Sequence, residues 1–215
     1  MKSLIALIKG INHNKNMKLL SKYIILPFLF IQITHADEIR NFYLKHWKLS
    51  DTAIKSLKDK EILSDTEVET KGNQQSFKMR GAALHNKKCA TVLRKLSRLE
   101  EYENWIDFIK SSNYKEANNL FTIKADHALL PYPMIVHIFV KRPTKQGEYP
   151  FTFPTGIFTG LTGNFIIKEI NGRCGIYVQS YWEGKKTKIP DLVIELFSET
   201  LARIGGEVLM RKSQI

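Results

Sequence analysis

Four histidines follow residue 37, and they are the first side chains to consider for acid–base or metal chemistry: His46, His85, His127 and His137. None lies in an HExxH motif or at metal-ligand spacing from a cysteine or carboxylate, so the sequence predicts no metal site and no catalytic residue. A proton-transfer role stays open for His127 and His137 if their strands pair, because imidazole titrates near neutral pH.

The glycine motifs do not indicate a nucleotide site. Gly184-Lys185-Lys186-Thr187 ends like a phosphate-binding loop but lacks the upstream glycine at the required spacing. Gly156, Gly160 and Gly163 lack the strand-to-helix setting of a dinucleotide fingerprint, and no GxSxG nucleophile motif occurs. The sequence therefore carries no enzyme signature and predicts no cofactor.

Cys89 and Cys174 are the two cysteines of the chain. They form no CxxC motif, which argues against a zinc knuckle or a thioredoxin-type site. In an oxidising compartment they could pair, but 85 positions of separation do not establish proximity, so the sequence leaves a disulfide and two buried thiols open.

The composition is that of a globular protein. The chain has 215 residues, of which 43% are apolar and 25% charged, and this excludes wholesale disorder and a disulfide-dense miniprotein. The formal net charge is +12, but residues 1–36 contribute five lysines and no acid. One domain with a short appendage is the expected organisation at this length.

Residues 1–36 have the pattern of a secretory signal peptide. Lys18 and Lys22 precede the apolar block 23–33, and Thr34 and Ala36 supply small residues before a cleavage site at Asp37. The block is too short for a spanning helix, which needs about 20 apolar residues. We therefore expect export to the periplasm, with translation starting at Met1 or at Met17. The alternative is an uncleaved segment that anchors the protein to the membrane.

Periodicity predicts a helix after Ser50, two extended segments around Lys71-Gly72-Asn73, and a helix over residues 86–102. From residue 111 onward the apolar period falls to two and indicates several strands, with Asn171-Gly172 as a hairpin turn. Apolar residues at helical spacing then predict one long terminal helix beginning at Pro190.

The tally is a helix-containing front, about six successive antiparallel strands and one amphipathic C-terminal helix. Strands grouped together rather than alternating with helices indicate an α+β fold. The predicted divisions are a signal peptide over residues 1–36, a lead-in with a short helix and first strand over 37–70, and the main domain over 71–215.

Several segments resemble the START-like helix-grip superfamily, which includes polyketide cyclase and coenzyme Q-binding proteins. The segment 96–106, LSRLEEYENWI, is similar to that family's leucine–small–tyrosine–tryptophan segment. Further similarities are Leu130-Pro131-Tyr132-Pro133, the segments 160–165 and 181–184, and the terminal helix from Ile189-Pro190. The sequence departs from the family at Leu84-His85-Asn86, where an Ala-Pro pair is common, and at Arg98, where an acid is common.

This resemblance implies a curved antiparallel sheet wrapped around the terminal helix, with an apolar tunnel that holds lipids, isoprenoids or similar molecules. Alternation of the strands and the family segment suggest a set of ligand-binding residues: Phe77, Met79, Trp105, Phe121, Ile123, His137, Phe139, Phe158 and Phe165. Packed core is an equally good interpretation of the same pattern. The predicted function is non-enzymatic binding or carriage of a hydrophobic small molecule.

Two alternatives remain open at this point. A cyclase- or dehydratase-like enzyme would need a polar side chain in the cavity, with His127, His137 or Tyr181 as candidates. An envelope interaction protein would have a filled interior and bind no ligand.

The basic face of the helix over 86–102 is most simply a solvated surface, but it also suggests transient contact with an anionic membrane surface. Export argues against a nucleic-acid partner. This face carries Lys87, Lys88, Arg94, Lys95 and Arg98.

Overall fold

A computed structural model describes residues 38–128 and 132–213, so the predicted signal peptide lies outside the described residues. The described residues from Ile39 onward belong to one compact unit. Residues 38–46 are helical and are called α1. The other helices are α2 (Asp51–Lys58), α3 (Cys89–Leu96) and α4 (Asp191–Lys212), and a 3₁₀ segment spans Leu99–Asn104. The strands are β1 (Leu63–Lys71), β2 (Gln74–His85), β3 (Ile109–Lys115), β4 (Leu120–Ala125), β5 (Met134–Val140), β6 (Gly147–Thr152), β7 (Thr162–Ile170) and β8 (Arg173–Lys185).

These strands form one antiparallel sheet with the order β1-β2-β8-β7-β6-β5-β4-β3. The α+β class and the long terminal helix are therefore confirmed. The expected count of about six strands is too low. Residues 153–161 lie outside the strands and connect β6 to β7.

Local signals account for most element boundaries. The Ser50 side chain accepts a hydrogen bond from the Ala53 amide at 3.2 Å and so caps α2. Asn171 and Gly172 both adopt positive φ, the conformation that a tight two-residue hairpin requires, and they join β7 to β8. The helix predicted over residues 86–102 is shorter than expected: α3 stops at Leu96, and the chain continues as a 3₁₀ segment after Arg98.

The two faces of the sheet pack against different helices. The face that we call inner carries Phe77, Phe121 and Trp182, which pack with buried residues of α3 and with Ile194 of α4. The opposite, outer face carries a second cluster that includes Leu84 and Tyr177 and packs against α1 and α2. Cross-strand partners share a face, so the register assigns every strand residue to one side.

Candidate functional site

The middle of the inner face is apolar but not fully covered. Side chains from five strands there are only partly buried, and Phe165 on β7 is 36% exposed. A solid interior would bury such residues almost completely. The inner face therefore presents apolar surface to solvent. The partly buried residues are Val68, Met79, Ile123, Ile138, Ile176 and Val178.

One row of this surface runs across four strands. Gly81 pairs with Val178, Val178 with Phe165, and Phe165 with Tyr149. A Cβ atom at Gly81 would lie 2.8 Å from Cγ1 of Val178, so glycine is needed for the valine side chain to take its place. The row therefore joins β2, β8, β7 and β6 into one continuous apolar strip.

Aromatic rings close one end of the inner face. The Phe77 and Phe158 ring centroids are 5.6 Å apart, and those of Phe158 and Trp182 are 5.2 Å apart in an edge-to-face arrangement. The indole Nε1 of Trp182 donates a hydrogen bond to the Thr159 carbonyl at 3.1 Å. This bond fastens the β6–β7 loop to β8 and holds Phe158 against the sheet.

Tyr102 organises another part of the inner face. Its ring centroid lies 5.7 Å from that of Trp105 and 5.8 Å from that of Phe121, and its hydroxyl donates to the Leu96 carbonyl at 2.7 Å. Burial raises the pKa of Tyr102, so the phenol stays a neutral donor. Trp105 and Phe121 are thus brought together through a residue that the sequence analysis did not select.

The predicted ligand-binding residues divide between the two faces. Seven of them lie on or against the inner face: Phe77, Met79, Trp105, Phe121, Ile123, Phe158 and Phe165. The other two, His137 and Phe139, lie on the outer face, because they pair with Thr122 and Leu120, opposite to Phe121 and Ile123. Their predicted inner position is therefore corrected, and in β5 it is Val136 and Ile138 that face inward. The ligand contacts of the other seven stay predictions.

A ladder of carboxylates fastens α4 to the free edge of β1. Glu199 accepts a hydrogen bond from the Thr66 amide at 3.0 Å, and Glu195 accepts one from the Val68 amide at 2.9 Å. Four helical residues rise about 6 Å and two strand residues about 6.7 Å, so every fourth helix residue can serve every second strand residue. The helix thereby satisfies edge amides that would otherwise lack partners.

Asp191 and Gln75 extend this attachment to the start of α4. The Asp191 carboxylate accepts hydrogen bonds from the Thr70 hydroxyl at 2.8 Å and from the Gln75 amide at 2.6 Å. These two hydrogen bonds lower the pKa of Asp191. The buried Gln75 carbonyl also accepts from the Thr187 hydroxyl, so one β2 side chain holds both the loop and the helix that follows it.

The other end of α4 is held by His85. Nδ1 of His85 accepts a hydrogen bond from the Lys87 amide at 3.0 Å, so the proton of the neutral ring is on Nε2, which donates to the Met210 carbonyl at 3.2 Å. Burial lowers the pKa of His85, which favours this neutral form. His85 therefore serves α4 as a structural partner.

Cys89 and Cys174 are joined in a disulfide bond. The bond links the first residue of α3 to β8, and Glu169 of β7 accepts a hydrogen bond from the Cys89 amide at 3.1 Å. The question that the sequence left open is thus answered, and α3 is covalently tied to the inner face.

A cleft of about 590 Å³ lies on the outer face across β1, β2, β8 and β7. Most of the residues that line it are polar or charged, and the charges inside it compensate one another, since Arg80 forms salt bridges with Asp65 and Glu67. The Tyr181 hydroxyl, which belongs to this cleft, donates to Glu183. The residues of this cleft come from four separate strands, so the sequence alone does not indicate it.

The candidate polar groups do not converge on the inner face. His137 bonds Thr122 at 3.0 Å on the outer face, Tyr181 lines the outer cleft, and the His127 ring lies 6.0 Å from that of Phe108. Within residues 38–128 and 132–213, no group of three or more His, Cys, Asp or Glu side chains is placed to hold a metal ion. No helix in the same part of the chain is both long and apolar enough to cross a membrane.

No protein-family model matches the sequence, and no curated protein matches it. A conserved protein from Geobacillus kaustophilus superimposes with a TM-score of 0.52 at 13% identity, covering 63% of this chain and 93% of that one. A START superfamily protein from Mycobacterium smegmatis does so with a TM-score of 0.50 at 12% identity, covering 71% and 97%. The chain has a START-like helix-grip fold.

In this fold the last helix lies next to the first strand, and that placement gives the carboxylates of α4 a role that the sequence alone does not indicate. From the sequence, Asp191, Glu195 and Glu199 are expected on the solvent-exposed side of an amphipathic helix. The structure shows that they accept hydrogen bonds from the edge strand β1. Their spacing of four was visible in the sequence. The missing information was that the first strand lies next to the last helix.

Proposed function

We propose that this protein binds and carries a hydrophobic small molecule, such as a lipid or an isoprenoid, between the inner face and α4, without catalysis. The observation that carries the proposal is the incompletely covered apolar surface of the inner face, where Phe165 is 36% exposed beside a buried core. Apolar contact with a ligand would contribute about 25 cal/mol for each Å² removed from water.

The chemistry of the strip favours an apolar ligand with few polar groups. The side chains of Phe165 and Val178 in the strip, and of Met79 beside it on β2, offer no hydrogen bonds. The Tyr102 hydroxyl of the inner face is already engaged with the Leu96 carbonyl. A ligand with many polar groups would lose its hydration without gaining partners. Affinity would therefore follow the apolar area and shape of the ligand.

Export to the periplasm is part of the proposal. The signal-peptide pattern of residues 1–36 supports it, and so does the disulfide between Cys89 and Cys174, because disulfides persist in oxidising compartments. A lipid-like ligand in that compartment needs a carrier to cross water, whereas nucleic acid is not a partner expected there.

Two phenylalanines of similar exposure provide the test. Phe165 is 36% exposed on the inner face and Phe139 is 40% exposed on the outer face. Native mass spectrometry of protein purified without detergent should show a bound apolar molecule, and the delipidated protein should take up an apolar fluorescent probe. Phe165→Glu should reduce probe affinity at least tenfold, and Phe139→Glu should change it less than twofold. Equal effects, or no uptake by the wild type, would overturn the proposal.

A second candidate function rests on another observation. Tyr132, Ile135 and Phe139 are 48%, 60% and 40% exposed, and the latter two share the outer face of β5. Such a patch favours an envelope interaction protein. Two results together would support this function in place of carriage. The purified protein would contain no ligand, and its binding to an envelope partner would be abolished by Ile135→Gln and unaffected by Phe165→Glu.

A further inference from the structure

The first two turns of α4 expose large apolar side chains. Leu192 is 63% exposed, Leu196 58% and Val193 40%. At 100° per residue these three lie within one arc of about 100°. The carboxylates of Asp191 and Glu195 lie beside the Leu192 edge of that arc and accept hydrogen bonds from β2 and β1. The exposed arc of these turns is therefore apolar and free of carboxylates.

Exposed lysines directly precede α4 in the chain. Lys185, Lys186 and Lys188 are all exposed, and none forms an ion pair with another residue that the structure describes. The Lys186 amide donates to the Asn73 carbonyl at 2.9 Å, and the Lys186 charge acts on Asp191. The three lysines thus gather where β8 ends and α4 begins, next to the β1–β2 turn.

We propose that Lys185, Lys186, Lys188, Leu192, Val193 and Leu196 form a docking surface for an anionic phospholipid bilayer. Apolar side chains that enter the headgroup region beside lysines that meet anionic lipid make up an interfacial anchor. The positive charge identifies the partner as an anionic surface. The proposal deepens the proposed function, because it names the partner from which an apolar ligand is loaded.

The surface lies at the same end of the sheet as the Phe77–Phe158–Trp182 cluster. Gln75 and Phe77 begin β2, Trp182 and Lys185 end β8, and Gln75 bonds both Thr187 and Asp191. A bilayer that meets α4 here would adjoin the aromatic end of the inner face. The ligand would then pass between membrane and protein without crossing bulk water.

The basic face of α3 lacks this combination. Lys87 and Lys88 are exposed, as the sequence predicts. However, none of the large apolar side chains of α3 is exposed. Charge alone gives weak, salt-sensitive attraction, whereas charge with apolar insertion gives stable docking. The α4 surface is therefore the proposed site, and the α3 face serves as its control.

Co-sedimentation with vesicles of phosphatidylcholine and phosphatidylglycerol tests this surface. The experiment uses the protein in the form that the cell produces and measures the fraction bound to the vesicles. We expect about fivefold weaker partitioning for each lysine replaced, or about a hundredfold for Lys185→Gln, Lys186→Gln and Lys188→Gln together. Leu192→Gln with Leu196→Gln should cost at least tenfold. Ile135→Gln, which alters a side chain of matching 60% exposure, and Lys87→Gln with Lys88→Gln should change partitioning less than twofold.

Several outcomes would overturn this docking surface. The first three are failure of the wild type to bind anionic vesicles, equal binding by all variants, and equal losses in the control variants. The fourth is a dimer that the double variant Leu192→Gln with Leu196→Gln abolishes while its vesicle binding stays unchanged. Unchanged thermal midpoints and circular dichroism spectra establish that the variants are folded. Probe uptake without vesicles is measured separately, so failure of docking and failure of ligand binding are distinguishable.

Discussion

The two helices on the inner face are fastened to the sheet in opposite ways. α3 has eight residues, three of which (Cys89, Val92 and Leu93) are buried, and a disulfide ties it to β8. α4 has 22 residues, and again only three are buried: Ile194, Gly205 and Met210. Hydrogen bonds hold it instead: the carboxylates of Asp191, Glu195 and Glu199 accept from β1 and β2, and the His85 ring donates to the Met210 carbonyl.

Of the two helices that pack on the inner face, α3 is therefore held firmly and α4 is held more weakly. Buried apolar residues and a covalent bond hold α3 permanently, whereas each hydrogen bond on α4 can be exchanged for one with water at modest cost. A ligand that needs more space than the incompletely covered inner face offers would displace one of the two helices. We therefore expect α4 to open and α3 to stay in place.

The largest expected effect on stability comes from the disulfide that holds α3. Replacing both Cys89 and Cys174 by serine should lower the free energy of unfolding by about 2 to 4 kcal/mol, because the unfolded chain loses an 85-residue constraint. Denaturant unfolding under oxidising conditions measures it. If the double variant were as stable as the wild type, α3 would not be the firmly held helix.

The carboxylate ladder should have the next largest effect. Glu199→Ala leaves the Thr66 amide without its partner and should cost about 1 to 3 kcal/mol. Glu199→Gln keeps a carbonyl oxygen at the same place and should retain much of the stability. Denaturant unfolding compares the two variants, and equal losses would contradict a role of this side chain as a hydrogen-bond acceptor.

His85 should make the hold on α4 depend on pH. Its pKa is lowered in the folded protein, so the unfolded chain takes up the proton first and stability falls as pH drops below about 6.5. His85→Gln should remove this part of the pH dependence. Hydrogen exchange of α4 amides between pH 7 and 5 measures it, and identical profiles for wild type and variant would contradict it.

The smallest effect is expected from Asp191. Its pKa is lowered by hydrogen bonds from Thr70 and Gln75, so its contribution is present above the ordinary value of 3.8 and is lost as pH falls below it. Asp191→Asn should flatten the stability profile only in that acidic range. A change of slope near neutral pH in this variant would show that another group titrates with α4.

The sequence predicted the elements better than it predicted their neighbours. Ser50, Asn171-Gly172 and the apolar spacing after Pro190 are local signals, and each marks the expected element. Which face of β5 lies inside is not local, because alternation in this strand is apolar on both sides: Ile135 and Phe139 against Val136 and Ile138. His137 and Phe139 were placed on the wrong face for that reason.

The candidate site was predictable where alternation had one apolar side. In β2, Phe77 and Met79 alternate with Lys78 and Arg80, and the structure places the first pair inside and the second in the outer cleft. The hydrogen bonds that hold α4 were not predictable, because they join residues 116 to 133 positions apart. Distances of that kind depend on the strand order, which a single sequence does not state.

Residue-resolved photocrosslinking with a diazirine-labelled fatty acid tests the central claim most directly. The account predicts saturable labelling of Met79, Phe165 and Val178 on the inner face, reduced by excess unlabelled lipid. Labelling confined to Ile135 and Phe139 on the outer face, or labelling that excess lipid leaves unchanged, would contradict it.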